Sequence, residues 1–167
     1  MRRNKVVVNS TPIIALREIG RLEILRDLYG SVVIPSAVLR EVTVKDPRAL
    51  DRYPWIVVEN VDNLAAKEVF SIALHDGEVE VMLLAKEIGA DLIILDDGLA
   101  RRHARYFGLN ITGTVGLLLR AKERGLIAEV KPILDELIAN DFYISEHVYK
   151  EILHMAGETY SNRIGET

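Results

Sequence analysis

The sequence predicts an α/β fold with a mainly parallel central sheet and helices on both faces. Short apolar runs of strand length alternate along the chain with longer segments in which apolar residues recur at helical spacing. The connections between successive runs are long enough to hold a helix, which parallel pairing requires. In such sheets, ligands bind beyond the carboxyl ends of the strands, where the strand order reverses. The residues that directly follow each strand are therefore the first candidates for a functional site.

Five short apolar runs predict the strands. Most are continuous rather than alternating, as in strands that are buried on both faces, and polar or turn-forming residues or a glycine follow them. They span residues 6–8, 32–34, 55–58, 92–95 and 109–111.

Segments with apolar residues at helical spacing predict the helices, and glycines end several of them. The first has Pro12 in its first turn and Ser10 or Thr11 as its cap, and it ends at about residue 19. The others span residues 22–28, 36–42, 62–74, 78–88, 98–107 and 114–125, with two more between 127 and 156. Residues 43–54 predict a loop or a broken helix, and residues 75–77 predict a sharp break. We expect one domain over residues 1–156, with a core to about 126 and a helical extension over 127–156, followed by a flexible tail over 157–167.

The composition excludes several classes of protein. The chain has 167 residues, of which 49% are hydrophobic and 28% are charged, so it has enough apolar material for one folded core. Its net charge of −4 is not that of a strongly basic nucleic-acid-binding protein. It has no cysteine, which excludes disulfides, zinc–thiolate sites and thiol catalysis. Its apolar runs are too short for a signal peptide or a membrane span, so we expect a cytoplasmic protein without a membrane partner.

Several residues with side-chain oxygens follow the predicted strands or lie on helices near their ends. Those that follow strands are Asn9, Ser10, Asp96, Asp97, Thr112 and Thr114, and those on helices are Glu41, Glu78 and Glu80. Carboxylates that converge at one place repel each other unless a cation neutralises them. Hard oxygen ligands without histidine or cysteine favour Mg²⁺ or Mn²⁺, which polarises a phosphoryl oxygen and activates a water molecule. The pattern therefore predicts a divalent metal site for hydrolysis at one end of the sheet.

Each acidic residue also has a structural alternative. Asp96 and Asp97 are well placed to cap the helix that follows them. Glu78 would complement the dipole of its own helix, and Glu41 would pair with Lys45 one turn further on.

Basic residues follow the acidic pair. Arg101 and Arg102 lie on the helix after Asp96 and are candidates for contacts with phosphates. The alternative is a solvated helix face.

Five motifs in this order carry a resemblance to a known family. They are VVVNSTPIIAL at 6–16, VIPSAV at 33–38, Gly77-Glu78, LDD at 95–97 with Ala100-Arg101, and TGTVG at 112–116. The chain resembles PIN-domain proteins, and more closely the prokaryotic PIN-like group known as DUF3368. The resemblance extends to about Leu153.

The resemblance implies a three-layer α/β/α PIN-like fold and a metal-dependent ribonuclease, many of which are toxins of toxin–antitoxin pairs. It implies an acidic quartet that binds Mg²⁺ or Mn²⁺, with Asp97 adjacent to the last position and with Ser10 and Thr114 supporting. The quartet positions are Asn9, Glu41, Glu78 and Asp96. Asn9 departs from the family pattern, because active PIN nucleases carry aspartate there.

Two hypotheses about function follow. In the first, the chain is an endoribonuclease with Glu41, Glu78 and Asp96 as catalytic metal ligands. In the second, it is a non-catalytic module that binds RNA or a protein, and Asn9 is the residue that favours this alternative. The two C-terminal helices either pack on the core or form a surface for a homodimer or an antitoxin.

Overall fold

The computed structural model describes residues 4–63, 65 and 76–160, apart from the side chain of Tyr106. Its strands form a five-stranded sheet in the order β3-β2-β1-β4-β5, and every neighbouring pair is parallel. They are β1 (Val6–Val8), β2 (Val32–Ile34), β3 (Ile56–Val58), β4 (Leu92–Ile94) and β5 (Ile111–Thr112). The predicted α/β fold is confirmed.

Eight helices are described. They are α1 (Ser10–Glu18), α2 (Glu23–Tyr29), α3 (Ser36–Thr43), α4 (Asp76–Ile88), α5 (Gly98–Tyr106), α6 (Thr114–Glu123), α7 (Lys131–Ala139) and α8 (Glu146–Met155). The chain divides into two compact units, Met1–Thr114 and Val115–Thr167. The whole sheet belongs to the first unit. The prediction of one domain over 1–156 stays a prediction.

The middle of the sheet is buried on both faces. In β1, Val6, Val7 and Val8 are all at most 1% exposed. Such continuous apolar strands need helices above and below them, which explains why β1 is a run of valines rather than an alternating pattern. The helix α4 packs on β1 and β4 and also contacts α3, which in turn contacts α1. The helices α1, α3 and α4 therefore pack side by side, and α4 lies on the two central strands.

The strand order reverses between β1 and β4. From β1 the chain adds β2 and β3 on one side, whereas β4 and β5 lie on the other side. The ladder continues for one residue beyond β1, because Asn9 N donates to Ile94 O at 2.9 Å. Asn9 and Asp96, which follow these two strands, therefore lie at the point where ligands bind in open parallel sheets.

Some predicted boundaries were wrong. The predicted cap of α1 at Ser10 or Thr11 was wrong, because Asn9 is extended and takes the N-cap position, so that α1 begins at Ser10. Pro12 then lies in the first turn, where its missing N–H has no intrahelical partner to lose. The helix α4 begins at Asp76, so the break predicted over 75–77 does not extend to Asp76 and Gly77. The last strand is Ile111–Thr112 rather than 109–111.

The helix predicted over 62–74 lies almost wholly outside the described residues. Asp62, its predicted cap, is described and lies in a bend. Among the described residues, no helix is both long and apolar enough to cross a membrane.

The second unit contains the two helices predicted between 127 and 156. Glu158 holds its C-terminal segment in place by accepting hydrogen bonds from Val130 N at 2.8 Å and Lys131 N at 2.9 Å, at the start of α7. Lys122 Nζ donates to Glu158 Oε2 at 2.9 Å and to Ala156 O at 2.7 Å. Residues 161–167 of the predicted tail lie outside the described residues.

Candidate active site

Asn9 carries a buried carbonyl oxygen that has no hydrogen-bond partner among the described residues. The residue is 4% exposed. Its Oδ1 accepts no hydrogen bond from any described residue, although Asn9 is the N-cap of α1. Leaving such an acceptor buried and unpaired costs about 1–3 kcal/mol. An orphaned oxygen at the switch point of the sheet is what a ligand with a positive charge or a hydrogen-bond donor would satisfy.

Ser10 and Glu41 form a short hydrogen bond at the same end of the sheet. Ser10 Oγ donates to Glu41 Oε2 at 2.5 Å, and Ser10 itself is 5% exposed. The bond joins the first residue of α1 to α3, and it is of the strong, charge-assisted kind. Among the described residues, no ion pair joins Glu41 to Lys45, and the hydrogen bond of the Glu41 carboxylate comes from Ser10 instead.

The carboxylate of Glu41 also rests against Gly77 in the first turn of α4. A Cβ added to Gly77 would lie 3.1 Å from Glu41 Cδ and would collide with Oε1. Glu41 therefore contacts both α1 and α4 through its carboxylate. Only a residue without a side chain leaves room for this approach.

Glu78 and Glu80 are two buried acids of α4. Glu78 lies in the first turn and is 8% exposed, so the helix dipole stabilises its charge. Glu80 has a structural role, because its Oε1 accepts from Ala37 N at 3.0 Å and thereby caps α3. The Oε2 atom of Glu80 lies 3.7 Å from Arg40 Nη2.

Asp96 joins the end of β4 to the start of α6. Its Oδ1 accepts from Thr114 N at 2.8 Å, and its Oδ2 accepts from Thr114 Oγ1 at 2.7 Å. Burial raises the pKa of Asp96 above its ordinary value, although the two bonds from Thr114 and the charge of Arg101 act against the shift. The surrounding groups thus do not fully offset the cost of burying the ionised Asp96 carboxylate, and a bound cation would lower that cost.

Asp97 takes the capping role that was the alternative for both aspartates. Its Oδ1 accepts from Ala100 N at 2.8 Å, as an N-cap of α5 does. Asp96 instead bonds to Thr114. The two neighbouring aspartates therefore have different surroundings, which favours Asp96 over Asp97 as the ligand.

Arg101 lies beside Asp96, whereas Arg102 is exposed on the same helix. A Cβ added to Gly113 would lie 2.8 Å from Asp96 Oδ1 and 2.9 Å from Arg101 Nη1. Both charged groups therefore lie over the bare backbone of Gly113. Gly77 and Gly113 are the residues whose roles the sequence analysis missed; each stands in a family-like motif, but neither has a side chain to suggest a function.

The donors present are of the kind that holds a hard divalent cation. They are the orphaned oxygen of Asn9 and the carboxylates of Glu41, Glu78 and Asp96. In the described part of the chain, however, no three acidic or histidine side chains are grouped as they would be around a metal ion. The residues fit a cation in chemical type, and binding would require the acidic side chains to move towards one another.

Comparison with known protein families gives a match over most of the chain. The family model DUF3368, described as a PIN domain, matches residues 5–158, which include every candidate site residue. No curated protein matched the chain.

Proposed function

The chain belongs to the DUF3368 family of PIN domains, and on this premise we propose that it is a metal-dependent endoribonuclease. A PIN domain generally means a nuclease-like function, and PIN domains generally depend on a divalent metal. PIN-domain nucleases typically bind RNA. The observation that carries the proposal is the orphaned, buried Oδ1 of Asn9, which follows the strand beside the one that leads to Asp96.

Glu41, Glu78 and Asp96 are the proposed ligands, and Asn9 contributes a neutral oxygen. Mg²⁺ or Mn²⁺ is the proposed ion, because all the donors are hard oxygens. Such an ion, when bound, supplies an activated water and neutralises charge on the phosphodiester. Asp97 is a less favoured ligand, since its Oδ1 already caps α5.

The chain's other residues hold these ligands and the substrate. Ser10 fixes the carboxylate of Glu41, and Thr114 fixes that of Asp96 through two bonds. Arg101, beside Asp96, is proposed to bind a phosphate of the RNA, with Arg102 as a weaker outer contact.

The test is a calorimetric Mn²⁺ titration of the wild type beside Asp96→Ala, followed by cleavage of a labelled RNA with Mn²⁺ and with chelator. We expect saturable binding that the variant loses, and cleavage that the chelator stops. A wild type that binds no Mn²⁺ would contradict the proposal.

A non-catalytic PIN-like module that binds RNA or a protein is the second candidate. Asn9 favours it, because a neutral residue leaves three carboxylates at the four family positions. The two candidates respond differently to Asn9→Asp: a module that lost catalysis gains metal affinity, whereas an enzyme adapted to Asn9 gains little.

The biological setting is also part of the proposal. A toxin of a toxin–antitoxin pair, acting in the cytoplasm, agrees with the family. The second unit exposes apolar side chains that an antitoxin or a second copy of the chain would cover, among them Tyr143, Val148 and Met155. Size-exclusion chromatography with light scattering tests the homodimer.

A further inference from the structure

We propose that Gly77 is a positioning residue of the active site, which seats the carboxylate of Glu41 against the helix turn that carries Glu78. The role in metal binding rests on the proposed function, whereas the positioning of Glu41 is argued from a separate contact. That contact is the packing of Glu41 on the bare Cα of Gly77.

The local sequence gives no other reason for glycine at this position. Gly77 lies in the first turn of α4, and glycine in a helix is less favourable than alanine, by up to about 1 kcal/mol in the interior. It is buried, and it does not have the positive φ that would require glycine. What a side chain would meet is the carboxylate of Glu41, with its Cδ 3.1 Å from the added Cβ.

The contact matters because Glu41 is otherwise free to move. It lies on an exposed part of α3, and a glutamate side chain has several rotamers. The bond from Ser10 at 2.5 Å and the surface of Gly77 together select one of them. A carboxylate held in this way stays beside the turn that carries Glu78, so less entropy is lost in the remaining movement that binding a cation requires.

Gly77→Ala should therefore displace the carboxylate while the fold survives, because the atoms in the way belong to the end of a flexible side chain. Gly98→Ala is the matched control. Gly98 also starts a helix, and a Cβ added there meets no described atom within 4 Å.

The first measurement is Mn²⁺ affinity. We expect Gly77→Ala to weaken it about tenfold or more, as changes to the groups that orient a ligand do, and Gly98→Ala to leave it unchanged. Shortening the displaced side chain gives it room, so Gly77→Ala with Glu41→Asp should weaken binding by less than the product of the two separate effects. Wild-type affinity in Gly77→Ala would overturn the inference.

The second measurement needs no metal. Urea unfolding in chelator is compared for Ser10→Ala in the wild-type and Gly77→Ala backgrounds. If Gly77→Ala pushes Glu41 away from Ser10, the fall in the urea midpoint caused by Ser10→Ala should shrink by at least half. An unchanged fall would overturn the inference. Should the wild type bind no Mn²⁺, the proposed function fails, and this unfolding comparison alone decides the role of Gly77.

Discussion

Asp96 at the end of the sheet and Glu158 in the second unit are both carboxylates with backbone and side-chain hydrogen bonds, yet their pKa values shift in opposite directions. Burial raises the pKa of Asp96 despite the bonds from Thr114. Burial acts in the same sense on Glu158, but the bonds from Val130, Lys131 and Lys122 outweigh it and lower the pKa. Ionisation of Glu158 therefore stabilises the folded state, whereas ionisation of Asp96 destabilises it. Such a cost is typical of functional sites.

The largest expected effect is that of Asp96→Asn on catalysis. Removing an anionic ligand should lower Mn²⁺-dependent RNA cleavage by about 100-fold or more, whereas the free energy of unfolding in chelator should not fall. Steady-state cleavage and urea unfolding measure the two effects. Glu158→Gln, with normal cleavage, is the control. Normal cleavage by Asp96→Asn would contradict the assignment of Asp96 as a metal ligand.

Glu158→Gln should have the converse effect. Loss of charged hydrogen bonds to the start of α7 and to Lys122 should lower the free energy of unfolding by about 2 kcal/mol. Urea unfolding at neutral pH measures this loss. Mn²⁺ affinity should stay as in the wild type, and a change in stability below a few tenths of a kcal/mol would show that Glu158 does not hold the segment.

Asn9→Asp should sharpen the comparison by adding a second uncompensated carboxylate at the sheet end. If the site is a weakened metal site, Mn²⁺ affinity should rise about tenfold, because the new ligand is charged. In chelator, stability should fall for the same reason. Calorimetry and unfolding of this variant beside Asn9→Ala measure both, and a higher stability in chelator would contradict the expectation.

The lowered pKa of Glu158 predicts a pH dependence. Below the ordinary pKa of 4.5, the unfolded chain binds a proton at Glu158 before the folded chain does. The contribution of Glu158 is therefore complete above pH 4.5 and is lost as the pH falls through the folded pKa. Unfolding followed from pH 6 to pH 3 should show a steeper loss in the wild type than in Glu158→Gln, and parallel curves would contradict this.

The smallest expected effect separates Arg101 from Arg102. If Arg101 contacts a phosphate, Arg101→Ala should reduce the slope of log affinity for RNA against log salt by about one. Arg102→Ala, the matched removal of an exposed charge, should change the slope less. Equal slopes for both variants and the wild type would support a solvated helix face.

The sequence predicted the sheet end well because strands and their carboxyl ends are local features. The valine run of β1 and the apolar run of β4 were clear, and parallel pairing then made Asn9 and Asp96 neighbours. The start of α4 was predicted too late because a glycine between two polar residues usually marks a break. Here Gly77 lies within the helix, and its lack of a side chain leaves room for the Glu41 carboxylate. That contact joins distant parts of the chain, as do those of Glu158, and periodicity carries no information about either.

Asp97 shows the same limit at a smaller scale. Adjacent aspartates after a strand are equivalent in sequence, and only the fold decides which one turns to its own helix. The bond to Ala100 makes Asp97 a cap, and the bonds to Thr114 distinguish Asp96.

Because Ala37 N donates to Glu80 on another helix, hydrogen exchange at the Ala37 amide reports on the contact between α3 and α4. Amides in the first turn of a helix have no intrahelical acceptor and normally exchange with deuterium quickly. The Ala37 amide is instead bonded to a carboxylate that is 4% exposed, on another helix. Its exchange rate should therefore follow how often α3, which carries Glu41, parts from α4, which carries Glu78, and it should do so without any substrate.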